Sequence, residues 1–120
     1  MSNIAKTSDA LQARIRELCG DVLQEVTSHP GHWDDSAVTR IVSNPPAAYT
    51  AWLGHMPGEN PSIVQARWAV YVVANVLDGE RENEVGIYQL VEQLSAGLHR
   101  YRLPPSGTFE LLSVQNLWSD

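Results

Sequence analysis

The sequence lacks most of the features that mark an exported, membrane-embedded or disulfide-stabilised protein. It contains one cysteine, Cys19, which excludes an intrachain disulfide and a cysteine-based zinc site and fits a reducing compartment. No apolar run approaches the roughly 20 residues that cross a bilayer as a helix. The first residues show neither the basic start nor the apolar stretch of a secretory signal. We therefore expect a soluble, cytoplasmic protein with no membrane partner.

Positive charge is also scarce. The 120 residues include 8 lysines and arginines against 14 aspartates and glutamates, for a net charge of −6. Acidic residues outnumber basic residues in both halves of the chain, so no basic tail or patch is visible. Binding to nucleic acid by electrostatic attraction needs a cluster of cations that displaces counterions. We expect no specific nucleic-acid binding.

The composition is that of an ordinary globular domain. Hydrophobic residues make up 43% of the chain and charged residues 18%, which is typical of a folded protein with its own core. No repeat, low-complexity tract or long linker divides the sequence. The sequence predicts a single domain over residues 1–120, with residues 1–7 as a flexible N-terminus.

The N-terminal part has a helical pattern. Ser8 and Asp9 are favourable N-cap residues for a first helix. Its apolar positions recur three and four residues apart, at Leu11, Ile15, Leu18 and Val22. Gly20 weakens or ends this helix, so residues 22–26 either continue it or start a strand, and the periodicity does not decide between them.

The middle of the chain has the patterns of one short helix and two strands. Residues 36–42 predict a helix that begins after Asp34 and Asp35. Alternating side chains predict a strand over residues 47–53, followed by a loop over residues 55–61. Every even position from 64 to 76 is apolar, which predicts one long strand over residues 62–77.

The C-terminal part predicts a turn, a helix and a last strand. The turn is Asp78-Gly79-Glu80, and the helix that follows has acidic residues at its start, namely Glu80, Glu82 and Glu84. Its apolar stripe consists of Ile87, Val91, Leu94 and Leu98. Residues 109–118 predict the last strand. The predicted fold class is α+β, a small single domain with a mostly antiparallel sheet and helices packed on one face.

One cluster has the residue types of a metal site. It consists of His29, His32, Asp34 and Asp35, whose imidazoles and carboxylates are ligands for zinc, manganese or iron. However, a Pro-Gly turn separates the two histidines, and the two aspartates are equally well explained as helix caps. The favoured interpretation is a polar loop. A small metal-dependent enzyme that uses this cluster is the alternative.

Other signs of catalysis are weak. Cys19 has no histidine near it in the sequence, and a buried cysteine usually behaves as a small apolar residue. No phosphate-binding glycine loop and no hydrolase, kinase or metalloprotease motif occurs. The glutamate run from 80 to 84 is typical of a solvated helix start. We expect no enzyme activity, no catalytic residues and no cofactor.

Tryptophans on the predicted strands indicate a core and a contact surface. Trp68 falls on a wholly apolar strand face, which predicts that it packs in the core. Trp52 falls on the less apolar face of its strand, beside Ala48 and Thr50, and an exposed apolar residue among polar ones is a candidate protein interface. Arg67 lies on the second face of the long strand, where it meets solvent or a neighbouring subunit.

Four segments together resemble the Mu-like phage and prophage tail proteins, the family that includes the tail terminator of phage Mu. They are PPAAYTAWLG (45–54), RWAVYVVANVLDGE (67–80), GIYQLVEQLSAGLH (86–99) and LLSVQNLWS (111–119). Their order and spacing also match, and the resemblance covers residues 8–119. Each segment is a core pattern and none is a chemical motif, so the specificity lies in their combination.

The resemblance implies a tail-terminator-like α+β fold that assembles as a homohexameric ring. Such a ring caps the growing tail tube, stops its polymerisation and joins the head, so the implied partners are other copies of the chain, the tail tube and head–tail joining proteins. It also implies that residues 22–27 form a strand. The family offers no catalytic residues. The implied locations are the host cytoplasm during assembly and the virion tail.

Within such a ring, two sets of residues are expected to have roles. The subunit or tube interface would include Trp52, His55, Met56 and Arg67. The channel would be lined by Glu80, Glu82 and Glu84, whose negative charge would keep passing DNA from adhering.

Overall fold

Two longer helices and a three-stranded sheet form the core of the computed structural model, which describes residues 3–28, 45–57, 64–103 and 107–114. The elements are α1 (Asn3–Cys19), β1 (Glu25–Ser28), β2 (Ala47–Pro57), β3 (Val64–Val73), α2 (Gly79–Glu82), α3 (Ile87–Leu98), β4 (Arg102–Leu103) and β5 (Gly107–Thr108). The α+β class is confirmed. The helix predicted over residues 36–42 lies outside the described residues.

Helix α1 begins five residues before the predicted N-cap at Ser8. It starts at Asn3, and Thr7, one turn before Leu11, is buried, so the stripe that faces the core extends toward the N-terminus. Ser8 does not act as an N-cap. Its hydroxyl instead accepts a hydrogen bond of 3.1 Å from Gln12 and lies 3.3 Å from the hydroxyl of Ser28 at the end of β1. Residues 3–7 thus form the first part of α1.

Helix α1 ends at Cys19, directly before Gly20, so residues 22–26 do not continue the helix. A Cβ at Gly20 would collide with the carbonyl oxygen of Arg16, so glycine permits the close approach of the chain there. The amides of Val22 and Leu23 both bind the carbonyl of Cys19 in a turn. The strand implied by the resemblance is present, but it begins at Glu25 and not at Val22.

The larger part of the sheet is antiparallel, as predicted, but the sheet is mixed because one strand pair is parallel. Its order is β1-β2-β3, with β1 parallel to β2 and β2 antiparallel to β3. Parallel neighbours need a connection of about a dozen residues or more, and the segment between Ser28 and Ala47 is long enough to provide it. The alternating patterns of β2 and β3 could predict two strands but not the direction of a short third strand.

The predicted 62–77 strand ends earlier in the structure than the sequence pattern indicates. Strand β3 ends at Val73, because Val76 leaves the ladder and makes an isolated parallel bridge to Gly86. The amide of Ile87 then binds the carbonyl of Val76, which ties the start of α3 to the end of the sheet. Ser62 lies outside the described residues.

The predicted turn at residues 78–80 is the start of the one-turn helix α2. Asp78 caps it by accepting a hydrogen bond from the amide of Glu80. Asn83 ends it in a left-handed conformation, with φ of 56°. This residue stops the helix that the glutamates were predicted to begin, so α3 starts only at Ile87.

Helices α1 and α3 pack on one face of the sheet, as predicted. The main core consists of Leu11, Ile15, Cys19, Val26, Ala48, Leu90 and Leu94. Fully burying each large aliphatic side chain contributes about 1.5–3 kcal/mol. The opposite face carries a smaller cluster in which Ala47 and Tyr49 are buried beside Tyr71 and Val73.

The described part of the predicted last strand is not a strand. Strands β4 and β5 have two residues each and pair antiparallel. The chain then runs from 109 to 114 without regular structure. The Phe109 amide still binds the carbonyl of Tyr101, but the Leu111 amide binds Nδ1 of His99. Leu111 therefore binds a side chain at the end of α3 in place of a backbone strand partner. Trp118 lies outside the described residues.

Candidate functional site

The four residues predicted to form an interface lie together at one end of the β2–β3 hairpin. We call residues 52–56 of β2, with Arg67 of β3, the hairpin end. Trp52 pairs with Trp68, Gly54 with Arg67 and His55 with Ala66. The loop predicted over residues 55–61 is wrong for residues 55–57, because β2 continues to Pro57. Residues 58–61 lie outside the described residues.

A β-bulge at Leu53 shapes the hairpin end. The register shifts between Trp52 and Gly54, so Leu53 has no partner of its own on β3. Gly54 has φ of +124°, a conformation that residues with a Cβ rarely adopt, and nothing lies within 4 Å of the position a Cβ would take. Glycine is therefore required here by backbone geometry and not by lack of space.

The bulge brings Trp52 and His55 into contact. The indole Nε1 of Trp52 donates a hydrogen bond of 3.1 Å to Nδ1 of His55. The two rings meet edge to face, with centroids 5.2 Å apart and planes at 61°. Without the extra residue, side chains three positions apart on a strand would point to opposite faces. The contact therefore depends on the bulge.

The hairpin end is an exposed apolar surface. The exposed fractions are 45% for Trp52, 59% for Leu53 and 41% for Met56. His55 and Arg67 are also exposed and place polar groups beside these side chains. Contiguous apolar side chains with a polar border are typical of a protein interaction surface.

Sequence reasoning missed Leu53. Strict alternation places it with Ala47, Tyr49 and Ala51, all of which are buried, whereas Leu53 lies at the bulge and is exposed. The signal that could have found it is Gly54, since a glycine within a strand often marks a bulge.

The prediction that Trp52 is exposed is confirmed, but its stated reason is wrong. Ala48 and Thr50, which lie on the same strand face, are fully buried, so this face is the one that packs toward the helices. Trp52 is exposed because it lies farther along β2 than these buried positions. Trp68, its partner, packs against the main core as predicted, and its buried Nε1 has no hydrogen-bond partner among the described residues.

The predicted acidic set lies on and after α2, away from the hairpin residues in the fold. Asp78 organises this region by accepting hydrogen bonds from the side chain of Gln89 and the amide of Glu80, at 3.0 and 3.2 Å. Glu80 and Glu84 are exposed and border a shallow cleft that Val85 and other residues line. The side chain of Glu82 is not described. Fixed negative charge is therefore presented to solvent on this side.

The predicted metal cluster cannot be compared with the structure. His29, His32, Asp34 and Asp35 lie outside the described residues. Among the described residues, no three histidine, cysteine, aspartate or glutamate side chains are placed to hold a metal ion.

Cys19 is a core residue in this structure. It is 2% exposed, and burial raises the pKa of its thiol above the ordinary value of 9.0. A raised pKa disfavours the thiolate that a nucleophilic cysteine requires. Within the described ranges, no helix has the length and apolar character needed to cross a bilayer.

These features define a small α+β domain whose candidate site is an exposed apolar surface with a polar border. The chain belongs to the Bacteriophage Mu Gp37 family, whose model matches residues 3–119. The resemblance to Mu-like phage tail proteins is thereby confirmed.

Two relatives show how similar the chain is to named proteins. The Mu-like prophage FluMu protein gp37 of Haemophilus influenzae is 64% identical over 120 residues, which is all of this chain and 62% of that protein. A protein of Escherichia phage Mu named "Probable tail terminator protein" is 40% identical over 117 residues, which is 98% of this chain and 64% of that protein. The chain thus spans a little under two thirds of each relative. No solved structure matches it.

Proposed function

We propose that this chain supplies the ring-forming domain of a phage or prophage tail terminator. In this role it assembles as a homohexamer, caps the end of the tail tube, stops tube growth and joins the tail to the head. The observation that carries the proposal is the 40% identity, over 98% of the chain, to the phage Mu protein named a probable tail terminator. The proposal includes a single domain over residues 1–120.

The hairpin end supports this function through its chemistry. A protein that works by contact needs apolar surface that remains exposed in the single chain and becomes buried on assembly. Trp52, Leu53 and Met56 provide such surface, and aromatic residues contribute strongly to interfaces. We assign Trp52, His55, Met56 and Arg67 to contacts with a neighbouring subunit or with the tube.

The remaining parts of the proposal concern partners, place and chemistry. The partners are other copies of the chain, the tail tube and head–tail joining proteins, with assembly in the host cytoplasm and a final location in the virion tail. The role requires no catalysis and no cofactor. Glu80, Glu82 and Glu84 are assigned to the channel wall, where negative charge repels the phosphates of passing DNA.

Solution mass and tail length test the proposal together. Light scattering on a size-exclusion column should give a species near six times 13.3 kDa. In a phage Mu lysogen that lacks its own relative, expression of this chain should restore tails of uniform length in electron micrographs. A folded, expressed chain that leaves tail lengths irregular and remains monomeric would contradict the proposal.

A further inference from the structure

The segment 109–114 is apolar and exposed without being part of a sheet. We call it the C-terminal segment. Leu111, Leu112 and Val114 are 43%, 70% and 57% exposed, although they have the composition of a strand. An isolated apolar strand in water is unfavourable unless another chain covers it.

The backbone of this segment is only partly hydrogen-bonded. Phe109 exchanges two hydrogen bonds with the 100–101 region, and the amide of Leu111 binds Nδ1 of His99. Among the described residues, no hydrogen bond reaches the backbone of residues 112–114. Within the described part of the chain, these groups therefore have hydrogen-bonding capacity that the edge of a sheet could use.

Strand β3 offers such an edge. Among the described strands it pairs with β2 alone, so the polar groups along its other side have no strand partner. An edge strand of this kind can accept an added strand through main-chain hydrogen bonds.

Charge gives this pairing a register. Glu110 is the one ionisable residue in the C-terminal segment, and Arg67 is the one charged residue in β3. Both side chains are exposed, and neither forms an ion pair with a described residue. Opposite charges placed as neighbours across two strands stabilise the pair, and like charges destabilise it.

We propose that the C-terminal segment of one copy adds as a strand to the outer edge of β3 in the next copy, with Glu110 beside Arg67. This inference rests on the proposed ring and names the contact that closes it. A parallel arrangement keeps residues 109–114 along residues 66–71, with Val114 near Tyr71. In an antiparallel arrangement with the same charge pair, Val114 would lie beyond Val64, the first residue of β3. The parallel arrangement therefore pairs more of the segment.

A second copy is the occupant that these observations favour. Phe109 and Leu111 hold the segment against Tyr101 and His99 of its own chain, so within one copy it does not pair with β3, whose partner among the described strands is β2. A contact between different surfaces of identical chains is heterologous, and it closes into a ring when its rotation divides a full turn. The pairing therefore supplies the kind of interface that a ring requires.

Charge exchange between the two positions tests the pairing. The variants are Arg67→Glu and Glu110→Arg, each alone, both in one chain, and the two single variants mixed in equal amounts. Each single variant places like charges together at every interface. We expect its dissociation constant for assembly to rise about tenfold or more at low salt.

The mixture separates contacts between chains from contacts within one chain. In an alternating ring of even number, the acidic side chain introduced by Arg67→Glu meets the basic side chain introduced by Glu110→Arg. At the remaining interfaces, the native Arg67 meets the native Glu110. The mixture and the double variant should therefore both recover the wild-type mass.

Lys6→Glu and Glu92→Arg are matched controls, because both residues are exposed and lie in α1 and α3. Circular dichroism should show all variants folded.

Each result decides one part of the proposal. Single variants that assemble like the wild type would overturn the strand pairing and leave the proposed ring in place. Recovery in the double variant without recovery in the mixture would assign the pair to one chain and overturn the contact between copies. A wild-type chain that is monomeric at every concentration would overturn the pairing together with the ring.

Discussion

The indole of Trp52 donates a hydrogen bond to the imidazole of His55 across the bulged residue Leu53, with 3.1 Å between Nε1 and Nδ1. This contact fixes the orientation of an aromatic ring that is 45% exposed. An exposed side chain held in one orientation loses less entropy when a partner covers it. The hairpin end is therefore suited to bind with little rearrangement.

Replacement of Trp52 by alanine should weaken assembly without unfolding the chain. An interfacial tryptophan removed from a central contact typically costs about 2 kcal/mol or more, so we expect the dissociation constant to rise about thirtyfold. The free energy of unfolding should change by less than about 1 kcal/mol, since the ring is half exposed. Light scattering and urea unfolding measure the two quantities.

The matched control for this variant is Tyr88→Ala. Tyr88 is an aromatic residue of α3 that is 52% exposed and lies outside the hairpin end. The Tyr88→Ala substitution should leave assembly unchanged. Equal weakening by the two substitutions would show that loss of any exposed aromatic ring has the same effect, and Trp52 would lose its assigned role.

The bulge shows where sequence reasoning succeeds and where it stops. Alternation identified β2 and β3, because a strand with one buried face must repeat every two residues. The same rule places Leu53 on the strand face of Ala47, Tyr49 and Ala51, and the prolines and glycine of residues 55–61 predicted a loop where β2 in fact continues to Pro57. One inserted residue reverses the alternation; Gly54 is a signal of it in the sequence, and the pairing of Gly54 with Arg67 across the sheet locates it.

Gln12 should contribute to stability through a polar cluster between α1 and the sheet. Its side-chain amide lies 2.8 Å from the hydroxyl of Ser28 and 3.3 Å from that of Thr50, which is 1% exposed. Gln12→Ala leaves the Thr50 hydroxyl without this partner in the core, and the expected loss in the free energy of unfolding is about 1–3 kcal/mol. Urea unfolding followed by circular dichroism measures it.

Gln24→Ala is the control for the same chemical change. Gln24 is exposed, so its substitution should change the free energy of unfolding by no more than about 0.5 kcal/mol. If Gln12→Ala is equally mild, the cluster does not stabilise the fold. The sequence offered no sign of this cluster, because Ser8 and Gln12 on a helix and Ser28 and Thr50 on two strands become neighbours only after folding.

Cys19 should make the fold less stable at high pH. Burial raises the pKa of this thiol in the folded chain above 9.0, so the folded chain keeps a proton that the unfolded chain releases. Ionisation of this thiol does not change the free energy of unfolding below about pH 9. Above that pH, the free energy of unfolding falls by at most about 1.4 kcal/mol per pH unit.

Comparison with Cys19→Ala isolates this effect from other groups that titrate at high pH. The difference in unfolding free energy between wild type and variant should shrink between about pH 8 and pH 10. A thiol reagent should also modify the native protein far more slowly than the unfolded protein, because Cys19 is 2% exposed. A constant difference across this pH range would show that the thiol ionises equally in both states.

Charge reversal at Glu80, Glu82 and Glu84 should impair passage of DNA while leaving tail length normal. If these residues line the channel, three lysines in their place would bind the phosphates of passing DNA at every subunit of the ring. The matched control reverses the charges of Asp9, Asp21 and Glu92, which are exposed on other parts of the fold. This control changes the net charge of the chain by the same amount. Infectious titre per tailed particle and tail length in micrographs are the two measurements. A normal titre in the first variant would remove these glutamates from the channel. Altered tail length in that variant alone would instead place them at the contact with the tube, because termination depends on protein contacts and not on DNA.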